Sequence, residues 1–380
     1  MREETAVSSE RAAARRGPQQ AQGLVGCSEV FPRLPAGARV LIIRLRSMGD
    51  TILMTPALRL LHQWRADLRV SVLTEHPWGE LLEGNPAVHS VMMLDGKLST
   101  AWRLRRTGFA LAINLHGGPT SAFLTQASGA RWRAGFEHFR NRFVYNLRVP
   151  TAQEILNREG PVHTAEHVAS CFFWLGLPFA DIPSAQLFPS PQATGNIAAR
   201  LLSMGLKQGE EYAVIHPTAS YASKQWKASG FAEVGEFLER ERGLRAVYIG
   251  GGEESGMLGR VETYARGPLL RAQGWSMRDL VALIAHARVF VGNDSGPAHL
   301  AAAGGIPVLV IFGSSHAAVW GPWKAAGSVV VQNYFDCNPC PGDRCYVYDD
   351  PRCILSVTTE QVKVCLETLL RSSTTVTSDR

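Results

Sequence analysis

Short apolar runs alternate with helix-length amphipathic stretches, and this alternation begins at residue 38. Ala38 to Leu45, broken only by Arg39 and Arg44, has the length and apolar content of a buried parallel strand. Leu68–Thr74, Ser90–Leu94 and Ala110–Leu115 repeat the signal. Between them lie helical patterns at Thr51–Trp64 (Pro56 in its first turns), Trp78–Leu82, Thr100–Arg106 and Ser121–Ser128. Strands alternating with helices predict a parallel sheet covered on both faces.

The pattern then restarts. After a helix at His163–Leu175, the Pro-rich stretch Pro178–Pro191 reads as a linker. Strand patterns follow at Tyr212–His216, Ala246–Gly250, Val289–Gly292 and Val308–Phe312, with helical patterns at Gly195–Met204, Phe231–Arg242, Met277–Ala287 and Pro297–Ala303. The expected fold class is α/β, with two Rossmann-like, doubly wound parallel-sheet domains facing a cleft at the carboxyl ends of both sheets. The expected division is a flexible leader over 1–36, a first domain over 37–190 and a second over 191–355. A C-terminal helix and tail over 356–380 is expected to pack back on the first domain.

Composition narrows the class. The chain has 380 residues, 46% of them hydrophobic and 19% charged, enough apolar material for two cores. No apolar run reaches the ~18–20 residues of a membrane span, and the first twenty residues show no apolar signal region. Seven cysteines without an export signal read as thiols of a reducing compartment, so a cytoplasmic protein is expected. The net charge of +6 is uneven: residues 38–190 hold 16 basic and 11 acidic side chains, residues 191–380 hold 18 of each. That excess fits either an anionic partner for the first domain or a solubilising surface.

Three strand-to-helix turns carry candidate chemistry. Arg44-Leu45-Arg46-Ser47-Met48-Gly49-Asp50 places Asp50 at a helix start, where the helix dipole favours a carboxylate, as proton acceptor or as N-cap. His216 to Trp226 offers Thr218, Ser220 and Lys224 to an anionic oxygen ligand such as a diphosphate, or is a polar surface loop. Gly292-Asn293-Asp294-Ser295-Gly296-Pro297-Ala298-His299 opens a helix whose N–H groups suit an anion, with His299 either in the site or a core histidine. Gly250-Gly251-Gly252 precedes Glu253 and Glu254, either of which can hold ribose hydroxyls. Cys337-x2-Cys340-x4-Cys345-x7-Cys353 opens with zinc spacing but fits no standard ribbon, so packed or redox-sensitive thiols are the preferred reading. In the Arg-rich stretch 131–148, interleaved aromatics are better explained by a core-facing segment than by nucleic-acid binding.

At Ile42–Pro56, His216–Trp226 and Val291–Trp323, the last including Trp320-Gly321-Pro322-Trp323, the sequence resembles glycosyltransferase family 9, the lipopolysaccharide heptosyltransferases. The resemblance implies the GT-B architecture and inverting, metal-independent transfer from ADP-heptose to a lipid A–core glycan acceptor, with no cofactor and with peripheral contact to the inner membrane. No Asp-x-Asp motif occurs. Carried over by position, Asp50 is the general base. Thr218, Ser220 and Lys224 meet the donor phosphates, Glu253 or Glu254 the ribose, and Asp294, Ser295, Gly296 and His299 the donor at the helix start. Arg44, Arg46, Arg103 and Arg106 are candidate acceptor contacts. Many members carry Arg-x-Ser-Ser before Gly-Asp. Arg46 preceding a single Ser47 is similar instead to the branch that extends a core already bearing heptose. Alternatives are transfer of another nucleotide-sugar, an epimerase on the same scaffold, or a non-catalytic sugar-nucleotide-binding protein.

Overall fold

The computed structural model describes residues 28–376 except Pro341; the side chains of Glu253, Ser255 and residues 373–376 lie outside that description. Six strands form the first sheet: β1 (Arg39–Ile43), β2 (Arg69–Thr74), β3 (Ser90–Met93), β4 (Leu111–Asn114), β5 (Trp132–Phe136) and β6 (Leu147–Val149). All pair in parallel, in the order β3-β2-β1-β4-β5-β6. The second sheet comprises β7 (Tyr212–His216), β8 (Arg245–Gly250), β9 (Leu270–Gln273), β10 (Val289–Asn293), β11 (Val308–Ile311) and β12 (Ser328–Val331). Its order, β12-β11-β10-β7-β8-β9, is again wholly parallel.

Side chains alternate across each sheet and so supply both layers. Val40 and Ile42 pack on one side with Leu58, Leu61 and Phe172, while Leu41 and Ile43 face Leu104 and Leu124 on the other. In the second sheet Val214 faces Leu201 and Leu283, and Ala213 and Ile215 face Phe231 and Trp226. In both sheets the direction of winding reverses beside the first strand, between β1 and β4 and between β7 and β10. Ligands of such sheets bind at the carboxyl ends beside that reversal.

Two expectations about the ends of the chain are corrected. The fold starts before residue 37: Val30–Arg33 is helical, Phe31 is fully buried against Phe172, and its N–H donates to the Leu175 carbonyl at 3.0 Å. Residues 1–27 of the expected leader lie outside the described residues. The last helix, Thr359–Val376, packs on the second domain rather than the first. Val362, Leu366 and Leu369 join the core that holds Ile215 and Phe231, and the Trp226 indole N–H donates to the Val357 carbonyl just ahead of the helix. Its apolar stripe therefore covers an otherwise open flank of the second sheet.

Candidate active site

The turn after β1 leads into the short helix Met48–Leu53, with Asp50 in its first turn. Asp50 accepts hydrogen bonds from the Ser47 N–H (3.3 Å) and hydroxyl (3.1 Å), and its other oxygen is ion-paired with Arg44. The same guanidinium donates to the Leu115 carbonyl at the end of β4. Arg44 thus spans the winding reversal and holds the Asp50 carboxylate. Arg46 pairs with Glu75 at 3.2 Å and remains two-thirds exposed at the mouth of the cleft. Arg103 pairs with Asp95 at 3.0 Å beyond the end of β3. Arg106 corrects another expectation: it lies in the last turn of the helix Lys97–Thr107, which runs back toward the amino ends of the strands. It stacks over Trp102 (4.5 Å), away from the end of the sheet that carries Asp50.

Facing these residues, β7 ends in His216 and β10 ends in Asn293. His216 is buried and bridges Ser295 (Nδ1 to Oγ, 3.0 Å) and Thr218 (Nε2 to Oγ1, 2.8 Å). Glu254 lies 3.8 Å from His216 Nε2 and accepts the Gly251 N–H at 2.6 Å. Its carboxyl is pulled down to about 2, chiefly by the neighbouring His216 imidazole, against the opposing effect of burial. Thr218, Ala219, Gln225, Glu254, Gly256, Met257 and Arg260 line a cavity of about 500 Å³, room for a nucleotide. Of the two glutamates, Glu254 thus faces the cavity; the Glu253 side chain lies outside the described residues. Ser220 is exposed, in contrast to buried Thr218. Lys224 Nζ donates to Asp294 Oδ2 at 2.9 Å, and Asp294 is buried.

The two halves meet where the helices Met48–Leu53 and Gly296–Ala303 cross. A Cβ on Gly49 would lie 2.7 Å from the His299 ring, and one on Gly296 would lie 2.8 Å from Met48 Cβ. Glycine at each position lets the domains approach this closely. His299 is buried between them, and its Nδ1 has no hydrogen-bond partner among the described residues. Burial drives its pKa down to about 4, while Asp294, Asp50 and Lys224 all lie near enough to act on its charge. Asp50, next to Gly49, and the Lys224–Asp294 pair therefore both lie in the neighbourhood of His299.

Two histidines, His163 and His116, carry no sequence signal of a role. His163 starts the helix Thr164–Trp174, accepts the Ala165 N–H on Nδ1 and so donates from Nε2 to the Gly321 carbonyl (2.9 Å), which ties the domains together. Trp323 stacks on it at 4.6 Å and donates to the Pro183 carbonyl, so the Trp-Gly-Pro-Trp stretch is an interdomain brace. His116 follows β4 and feels the charges of Arg44, Arg46 and Asp50, with its pKa lowered chiefly by burial. Cys337, Cys340, Cys345 and Cys353 surround a cavity of about 20 Å³ beside Ser223 and Ser314, and burial raises the Cys353 thiol. Among the described residues no group of three or more His, Cys, Asp or Glu is placed to hold a metal ion.

The sequence profile of glycosyltransferase family 9 (heptosyltransferase) matches residues 98–348, about two-thirds of the chain. The chain belongs to glycosyltransferase family 9. Within family 9 it is 26% identical over 296 residues to lipopolysaccharide heptosyltransferase 3 of Escherichia coli, covering 74% of this chain and 85% of that protein. It is 25% identical over 328 residues to lipopolysaccharide heptosyltransferase 1 of Pseudomonas aeruginosa, covering 81% and 87%. The fold matches the family 9 glycosyltransferase of Veillonella parvula with a TM-score of 0.77 at 20% identity, over 92% of this chain and all of that one. It matches E. coli ADP-heptose heptosyltransferase II with a TM-score of 0.74 at 18% identity, over 88% and 99%. The architecture is therefore GT-B, as the family resemblance implied.

Proposed function

We propose that the protein is an inverting heptosyltransferase that moves heptose from ADP-heptose to a lipopolysaccharide inner-core acceptor already carrying heptose. What supports this reading is the packing of the Asp50 helix on the helix that follows Asp294, which brings Asp50 and the Lys224–Asp294 pair close to His299 in a family 9 chain. Two E. coli relatives named lipopolysaccharide heptosyltransferase 3, at 26% and 27% identity, support the extended-core acceptor, as does Arg46 ahead of a single serine. ADP occupies the cavity beside Thr218, with Glu254 on the ribose and Lys224 on the diphosphate. Asp50, held by Arg44 and Ser47, takes the proton of the acceptor hydroxyl. That oxygen bonds to the anomeric carbon on the face opposite the leaving group. The carbon–oxygen bond to ADP breaks, and Lys224 with the Gly296 N–H offsets the charge growing on the diphosphate. No step calls on a metal ion. The peripheral, cytoplasmic-face placement belongs to the same reading.

Nucleotide release from purified protein tests it, with ADP-, UDP- and GDP-sugars offered alongside truncated core acceptors. ADP released only from ADP-heptose, and only with a heptose-bearing acceptor, is the expected result. Equal release without acceptor, or from another donor, contradicts it.

A further inference from the structure

One face of the first domain is built unlike the rest of the surface. The helices Lys97–Thr107 and Pro119–Ala127 lie side by side over the same face of the sheet, and the short turn Arg142–Val144 packs beside the second. Their inward residues, Leu104 and Leu124, fill the core. Outward, where solvent should favour polar side chains, stand Leu98 (79% exposed), Trp102 (60%), Phe123 (44%) and Phe143 (76%). Solitary exposed apolar residues need no explanation, but four on three adjoining elements form a patch. Residues 96–136 contain six Lys or Arg and no Asp or Glu. Lys97, Arg105 and Arg106 are exposed around the patch. The nearest acidic groups are already engaged, Asp95 with Arg103 and Glu137 with Arg142.

Two of the apolar residues also share an end. Leu98 lies in the first turn of its helix and Phe123 in the second turn of the next. Both thus sit toward the carboxyl end of the sheet, the end that carries Asp50, whereas Arg105 and Arg106 lie toward the other. Aromatic and aliphatic side chains ringed by cations on one helical face make the signature of an interfacial membrane site. No helix among the described residues is long and apolar enough to cross a membrane.

We propose that this face docks the enzyme on an anionic phospholipid bilayer, with Leu98, Trp102 and Phe123 entering the headgroup boundary and Lys97, Arg105 and Arg106 meeting lipid phosphates. The inference rests on the lipid-linked acceptor proposed above, because it brings the acceptor side of the cleft to the surface from which such a glycan projects. Co-sedimentation of the full-length protein with vesicles of phosphatidylethanolamine and phosphatidylglycerol (3:1) tests it. Binding is expected, weakened at least tenfold by the triple substitution Leu98→Ser, Trp102→Ser, Phe123→Ser, and weakened by high salt. The triple variant should keep its Tm and its rate with a deacylated, soluble acceptor but transfer more slowly to acceptor embedded in vesicles. The docking surface is overturned if the wild type ignores these vesicles, binds phosphatidylcholine vesicles equally well, or is matched by the triple variant. A dimer that dissociates on the triple substitution while vesicle binding persists would assign the face to self-association and also overturn it. Loss of transfer to the soluble acceptor by the wild type would instead reject the transferase reading.

Discussion

In the Lys224–Asp294 pair, stability and the proposed donor binding rest on the same residue-scale electrostatics. Asp294 is almost fully buried, and its charge is compensated by one ammonium at 2.9 Å. Removing one partner of such a pair leaves an uncompensated buried charge and typically costs ~3–5 kcal/mol. Lys224→Met should therefore lower the denaturant midpoint sharply as well as abolish ADP binding. Adding Asp294→Asn should recover most of the stability and none of the binding, which calorimetric titration beside denaturation curves would separate. The buried histidines set the response to acid. His167 and His299 both have pKa values lowered to about 4, chiefly by burial, and His163 is lowered for the same main reason. An unfolded imidazole takes up its proton near 6.5, the folded ones only well below. Stability is thus fully present above pH 6.5 and lost as pH falls toward 4, by ~2 kcal/mol for each of His167 and His299 at pH 4.5. A Tm flat from pH 8 to 6.5 and falling steeply below is expected; a Tm independent of pH down to 4.5 would contradict it.

At the scale of elements, the crossing of Met48–Leu53 over Gly296–Ala303 is the most exacting contact between the domains. Gly49→Ala drives a methyl against the His299 ring at 2.7 Å, and the ring is walled in by both domains. Overpacking of this kind costs ~1–3 kcal/mol. We expect a lower Tm and slower transfer, with part of both restored when His299→Ala opens the space; a double-mutant cycle on Tm measures that coupling. The same elements show what was legible in sequence. Central strands such as Val40–Ile43 and Val308–Ile311 announce themselves as unbroken apolar runs because both faces are covered. β5, β6, β9 and β12 are harder to read because β6, β9 and β12 lie at the sheet edges, all four are short or half-exposed, and in β5, β6 and β9 an arginine stands within the strand. Asp50, Lys224 and Asp294 were readable from strand-end turns. The approach of Glu254 to His216, the tether from Arg44 to Leu115 and the link from His216 to Ser295 were not, since each depends on a neighbour 38 or more residues away in sequence. The last helix went to the wrong domain for the same reason: its stripe shows that it packs, not against which sheet.

For the whole molecule, the proposed function rests on setting two similar sheets carboxyl end to carboxyl end. One contributes an oriented carboxylate, the other a cation and a nucleotide-sized cavity, and His163, Trp323 and the crossing helices hold them together. Between the outer elements, Arg278 grips Glu83 in a bidentate pair (2.6 Å for each bond), although exposed pairs of this sort add only ~0–1 kcal/mol to stability. In the proposed mechanism Asp50 acts in the reaction and not in donor binding. The most direct measurement is single-turnover transfer by Asp50→Asn together with its affinity for ADP-heptose. A rate at least a hundredfold lower is expected, with donor affinity within about threefold of the wild type. An Asp50→Asn enzyme that transfers at the wild-type rate, or that loses activity only because donor no longer binds, would contradict it.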